Sequence, residues 1–71
     1  MTKKERENLL INAWRLAGHM DRMENKGMSD DYLSGLWRAQ ILLLKGFDID
    51  FTKIQIARAK GMTYEEMIKT L

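Results

Sequence analysis

Three glycines that interrupt helical periodicity constrain the fold of this chain more than any other feature. Gly27, Gly46 and Gly61 each follow a stretch in which apolar residues recur every three or four positions, and the chain contains no Pro. Glycine adopts the left-handed conformation that ends many helices at no steric cost, and no stretch alternates between apolar and polar residues as a strand does. The spacing predicts a single all-α domain over residues 1–71, a small bundle of four helices. Two longer helices form an antiparallel hairpin, and two short ones follow in a helix-turn-helix-like corner.

The two long helices are predicted to pack closely at a pair of glycines. The first spans about residues 3–25, and the second begins after Ser29, which can cap it. Gly18 lies nine residues before Gly27 and Gly35 lies eight residues after it. A hairpin centred on Gly27 therefore places Gly18 and Gly35 at the same height, where the two backbones can approach closely.

The second helix is predicted to be the most enclosed of the four. Apolar residues surround it between Tyr32 and Leu44 and leave little polar face. Neighbouring helices can cover only part of such a helix, so we expect one apolar side to stay exposed and to favour association with another molecule. The candidate protein-contact residues are two of its side chains and an edge of the first helix: Trp37, Leu42, Met20 and Met23. We expect them to mediate self-association as a homodimer.

A polar and mildly basic ridge lies along the first helix. Its members are three or four residues apart and so share one surface. They are Asn8, Asn12, Arg15, His19, Arg22 and Lys26. Two interpretations are open: a solvated helix face, or a contact surface for phosphate or for an acidic protein.

The last two helices carry the clearest local signals. The third is predicted over residues 51–60, with Asp50 or Asp48 as its N-cap. Thr63 and Glu66 fit the capping box, in which each side chain satisfies the other residue's backbone N–H. The spacing of the apolar residues in the fourth helix predicts a buried stripe formed by Tyr64, Met67, Ile68 and Leu71.

The stretch IQIARAKGMTYEEMIKTL resembles the helix-turn-helix of small bacterial and phage regulators. The resemblance rests on Ala57, on the turn residue Gly61 four positions later, and on Met67 six positions after that. It implies a recognition helix in the major groove. The candidate DNA-contact residues within 53–71 are Thr63, Tyr64, Glu65, Lys69, Lys53 and Lys60. The alternative is that this corner serves only packing.

The composition argues against catalysis and favours a binding function. The chain has 71 residues, no Cys, one His and a net charge of +2, a weak bias that neither requires nor excludes nucleic acid. His19 is the only imidazole, and no Cys or second His can join it in a metal site or a nucleophilic pair. The paired acids are best explained as helix-start residues. We therefore expect no enzyme activity, cofactor, metal or small-molecule substrate.

The expected function is that of a non-enzymatic regulator. In size and composition the chain is similar to the small regulators that phages and mobile elements encode to bind a host or cellular protein. No membrane span or signal peptide is evident, which favours a cytoplasmic location. The alternative function is a DNA-binding helix-turn-helix transcriptional regulator that uses residues 53–71.

Overall fold

The computed structural model describes residues 2–71, which form four helices and no strand. The helices are α1 (Lys3–Asn25), α2 (Asp30–Lys45), α3 (Phe51–Ala59) and α4 (Tyr64–Thr70). The prediction of a small all-α bundle is confirmed, and the helix bounds lie within one residue of those expected. No helix in residues 2–71 combines the length and apolar character needed to span a membrane.

Side chains cap the helices where the sequence predicts. The Ser29 hydroxyl accepts a hydrogen bond from the Tyr32 N–H at 3.3 Å. Asp50, rather than Asp48, caps α3, because its carboxylate accepts from two N–H groups of the first turn. The capping box at α4 is present: the Thr63 hydroxyl accepts from the Glu66 N–H at 3.2 Å, and the Glu66 carboxylate accepts from the Thr63 N–H at 2.9 Å.

A second capping box opens α1 and was not predicted. The Thr2 hydroxyl accepts from the Glu5 N–H, and the Glu5 carboxylate accepts from the Thr2 N–H at 3.2 Å. These bonds favour the ionised carboxylate. They lower the pKa of Glu5, chiefly through the Thr2 side chain, and the equivalent bonds from Thr63 lower the pKa of Glu66.

Two of the three helix-ending glycines take the left-handed conformation, and the third does not. Gly27 and Gly61 have φ of 80° and 76°. Gly46 is right-handed, with φ of −62°, so the prediction for this position is wrong. The left-handed residue is Asp48, with φ of 59°.

The chain turns at Asp48 because a hydrogen-bonded turn continues beyond the last residue of α2 before the chain changes direction. The Asp48 N–H donates to the Lys45 carbonyl at 3.0 Å, and the Ile49 N–H donates to the Leu44 carbonyl at 3.0 Å. These are the two bonds of a Schellman motif, whose left-handed position falls here on an aspartate. The delayed turn brings Ile49 into the core.

α1 and α3 supply most of the core, and α3 contacts all three other helices. The buried apolar residues are Leu10, Ala13, Ala17 and Met20 from α1; Leu44 from α2; Ile49 from the loop; Phe51, Ile54 and Ala57 from α3; and Met67 from α4. The prediction that α2 is the most enclosed helix is therefore wrong. Its apolar residues surround the helix, but its neighbours cover only the side that carries Leu44.

The predicted approach of Gly18 to Gly35 is also wrong. A Cβ built on Gly35 would meet no atom within 4 Å. A Cβ on Gly18 would lie 2.7 Å from the Arg58 guanidinium. Gly18 therefore makes room for a side chain of α3, not for the backbone of α2.

Trp14 joins α1 to both short helices. The Arg58 guanidinium lies over its ring, 4.6 Å from the centroid, and the Tyr64 ring meets it edge to face at 6.3 Å. In α4 Met67 is buried and Ile68 and Tyr64 are half-buried, whereas Leu71 is exposed. The predicted buried stripe therefore stops short of the last residue.

Candidate protein-contact surface

α2 presents an uncovered apolar side, which we call the outer face of α2. It consists of Tyr32, Gly35, Ala39, Leu42 and Leu43, which helical spacing places on one side. Leu42 is 66% exposed, Leu43 is 55% exposed and Tyr32 is 42% exposed. Side chains of this size are rarely left in water as a contiguous group. The outer face therefore has the character of an interaction surface.

The opposite side of α2 explains why this face is uncovered. Leu44 is only 1% exposed, and half-buried Leu33 and Ile41 lie beside it on the side that faces α1 and α3. α1 and α3, the helices with which α2 makes its main contacts, leave Leu42 and Leu43 uncovered in the part of the chain that the structure describes.

The outer face carries small residues at its centre and charged residues along one edge. Gly35 and Ala39 are exposed and small, so a neighbouring helix could approach their backbone closely. Asp31, Arg38 and Lys45 are seven residues apart and run along one edge of the face. Asp31 lies at the start of the helix, Arg38 near its middle and Lys45 at its end.

The four candidate protein-contact residues do not form one surface. Met20 is 6% exposed and belongs to the core, because it lies on the same side of α1 as Ala13 and Ala17. Met23 is half-buried. Trp37 lies on the inner edge of α2, where it lines a groove with Met20, and Leu42 alone lies on the outer face. The sequence could have separated Trp37 from Leu42, since five residues turn a helix by about 140°.

The groove beside Trp37 has a volume of about 550 Å³ and lies between α1, α2 and α3. Ala17 and Met20 contribute apolar wall, and its polar lining includes three acids, Asp21, Glu24 and Asp30. Arg58 also reaches this groove from α3.

The predicted basic ridge forms on α1. Arg15, Arg22 and Lys26 are exposed on the side away from the core, and His19 between them is half-buried. Helical spacing thus places these residues on one side of α1.

The helix-turn-helix-like corner is formed by α3, the turn at Gly61 and α4, which contact each other. Its candidate DNA-contact residues are placed differently. Thr63 caps α4, and the Tyr64 ring packs on Trp14. Burial, and then the charges of Glu7 and Glu65, raise the pKa of Tyr64. All of the candidates except Tyr64 are exposed: Lys53, Lys60, Thr63, Glu65 and Lys69.

The exposed side of α4 carries more acid than base. Glu65, Glu66 and Lys69 are all exposed there. Binding to a phosphate backbone is driven by basic side chains that displace counterions. The electrostatics of this helix are therefore unfavourable for entry into a DNA groove.

Comparison of the chain with protein-family models, with curated proteins and with solved structures gives no match. Nowhere in residues 2–71 do three or more His, Asp or Glu side chains converge so as to hold a metal ion. The outer face of α2 was missed as a unit in the sequence, although its spacing is readable there.

Proposed function

We propose that this protein is a non-enzymatic binding protein that acts by protein–protein contact, with the outer face of α2 as its working surface and a helix of another chain as the bound element. One observation carries the proposal: Leu42 and Leu43 are 66% and 55% exposed beside the small residues Gly35 and Ala39. A flat apolar surface with small residues at its centre is complementary in shape to the side of a helix.

The exposed area represents a substantial free energy. Fully burying a leucine is worth roughly 1.5–3 kcal/mol, so covering the exposed parts of Leu42 and Leu43 would contribute about 2–3.5 kcal/mol. A domain below 70–80 residues rarely obtains more than about 3–5 kcal/mol from its core. Contact at this face would therefore matter for the stability of the chain as well as for recognition.

The placement of the polar groups supports binding rather than catalysis. Glu66 and Glu5 are occupied in capping boxes. Asp30 and Asp31 lie in the first turn of α2, where their negative charges interact favourably with the positive end of the helix dipole. His19 lies on the ridge of α1, on the side away from the core.

Site-specific photocrosslinking tests the proposal. A benzophenone amino acid would replace Leu43 in one variant and Lys4, an exposed residue of α1 outside every candidate surface, in the control. Irradiation of each variant, pure and in a cell lysate, should give discrete crosslinked products from position 43 well above those from position 4. Equal yields from the two positions would overturn the proposal.

DNA binding is the second candidate function. The α3–Gly61–α4 corner and the exposed Lys53 and Lys60 favour it. The acidic side chains of Glu65 and Glu66 oppose it, because they would approach phosphate. We rank it below protein contact for that reason.

A further inference from the structure

We propose that the helix bound at the outer face of α2 is α2 of a second copy, paired antiparallel about a two-fold axis that passes beside Ala39. This inference rests on the proposed function and names its partner. A two-fold pairing uses the same surface of both copies, so the face must be complementary to itself when reversed. Size, backbone exposure and charge each meet that condition.

The sizes of the side chains match when the helix is reversed about Ala39. In such a pair, residues equally far before and after Ala39 face each other. Gly35 and Leu43 are each four residues from Ala39, so Leu43 meets the partner's Gly35. Tyr32 and Gly46 are each seven residues away, so the Tyr32 ring meets the partner's Gly46. Each of these two large exposed side chains thus lies opposite a glycine.

Gly35 is otherwise unexplained. Glycine inside a helix lowers its stability relative to alanine, and here no atom lies within 4 Å of the position of the missing Cβ. Packing within the chain therefore does not require glycine at this position. A leucine arriving from a second copy does.

The charged edge fixes the orientation. In an antiparallel two-fold pair the same edges of the two helices come together, whereas a parallel pair joins opposite edges. Asp31 then lies about 3 Å along the axis from the level of the partner's Lys45, within reach of the lysine side chain. Parallel pairing would set this charged edge against the apolar edge that carries Leu43. The two copies of Arg38 also meet on this edge beside the axis, and their long side chains let the like charges separate into solvent.

Disulfide trapping tests the orientation directly, because the chain has no Cys of its own. Tyr32→Cys and Gly46→Cys variants would be oxidised separately and as an equimolar mixture. The two positions are about 21 Å apart along the helix, far beyond the reach of a disulfide. We expect the mixture to give a disulfide-linked dimer that joins one variant to the other, and little homodimer of either variant. Homodimers of each variant alone would overturn the antiparallel arrangement.

Sedimentation equilibrium tests whether the pairing occurs in the unmodified chain. At tens of micromolar the wild type should show a mass near twice 8.3 kDa. Gly35→Gln should raise the melting temperature measured on dilute protein, because glutamine favours the helix more than glycine and its side chain meets no neighbour at this position. The same substitution should weaken dimerisation at least tenfold. Ile56→Glu, at an exposed position on α3, is the matched control and should remain dimeric. A Gly35→Gln variant that dimerises like the wild type would overturn the pairing.

The two proposals fail in different ways. A monomeric wild type that crosslinks from position 43 to a different protein would overturn self-pairing and leave the proposed function standing. Absence of any product specific to position 43 would overturn both.

Discussion

The contact between Gly18 and Arg58 leads to a prediction whose size can be worked out. Alanine in a helix interior is about 1 kcal/mol more favourable than glycine, so Gly18→Ala should stabilise α1. The new Cβ would, however, lie 2.7–2.9 Å from three atoms of the Arg58 guanidinium. The guanidinium must then shift, which weakens its cation–π contact with the Trp14 ring, a contact worth about 0.5–1 kcal/mol.

The net effect of Gly18→Ala in the wild type should therefore be about 0–0.5 kcal/mol of stabilisation. In an Arg58→Ala background nothing needs to move, and the same substitution should contribute the full gain of about 1 kcal/mol. The double-mutant cycle isolates a coupling of about 0.5–1 kcal/mol between positions 18 and 58. For a domain of this size that corresponds to a difference of several degrees in melting temperature.

The assay is urea unfolding followed by circular dichroism, on dilute protein so that self-association does not contribute. The NMR chemical shift of the Arg58 Nε–H provides a second readout. The Trp14 ring should perturb this shift in the wild type, and in Gly18→Ala it should move toward the value of an exposed arginine. Equal stabilisation by Gly18→Ala in both backgrounds would refute the argument that Gly18 exists to admit Arg58.

Three further predictions concern the turn after α2, the capping box of α4 and DNA. Asp48→Gly should stabilise the chain by about 1 kcal/mol, because glycine adopts the left-handed conformation without the cost that a side chain adds; an unchanged urea midpoint would contradict this. Bonding to Thr63 lowers the pKa of Glu66, so the ionised carboxylate stabilises the fold above the ordinary glutamate pKa, and this stabilisation is lost as pH falls through the lowered value. Glu66→Gln, which keeps the cap without the charge, should flatten that acid-range loss in urea midpoints, whereas Glu65→Gln serves as the control and should not. Fluorescence titration with mixed duplex DNA should give only weak binding that moderate salt abolishes; retention of a specific duplex at physiological salt would instead favour the helix-turn-helix function.

Local signals in the sequence were sufficient to place the helices. A capping box such as Thr63–Glu66, or a glycine such as Gly27 or Gly61, acts within a few residues, so its effect can be read without knowing the rest of the fold. Gly46 is the exception. The left-handed turn comes two residues later, at Asp48, which brings Ile49 into the core, and that gain depends on tertiary packing.

Pairings between helices could not be read in the same way. The matching heights of Gly18 and Gly35 suggested mutual contact, but the residue that fills the space at Gly18 comes from α3. Similarly, the apolar circumference of α2 indicated enclosure, whereas burial depends on how many neighbours a helix has. The outer face of α2 was therefore missed, although the exposure of Leu42 was expected.

The Trp14 cluster has a consequence for how the molecule opens. It ties α1, α3 and α4 together through Arg58 and Tyr64, whereas α2 contributes only Leu44 to the fully buried set. Segments with few buried contacts detach at lower free energy than global unfolding requires. Amide protons of α2 should therefore exchange with solvent ahead of those in α1 and α3, and any molecule seated on Leu42 and Leu43 would slow exchange in α2 first.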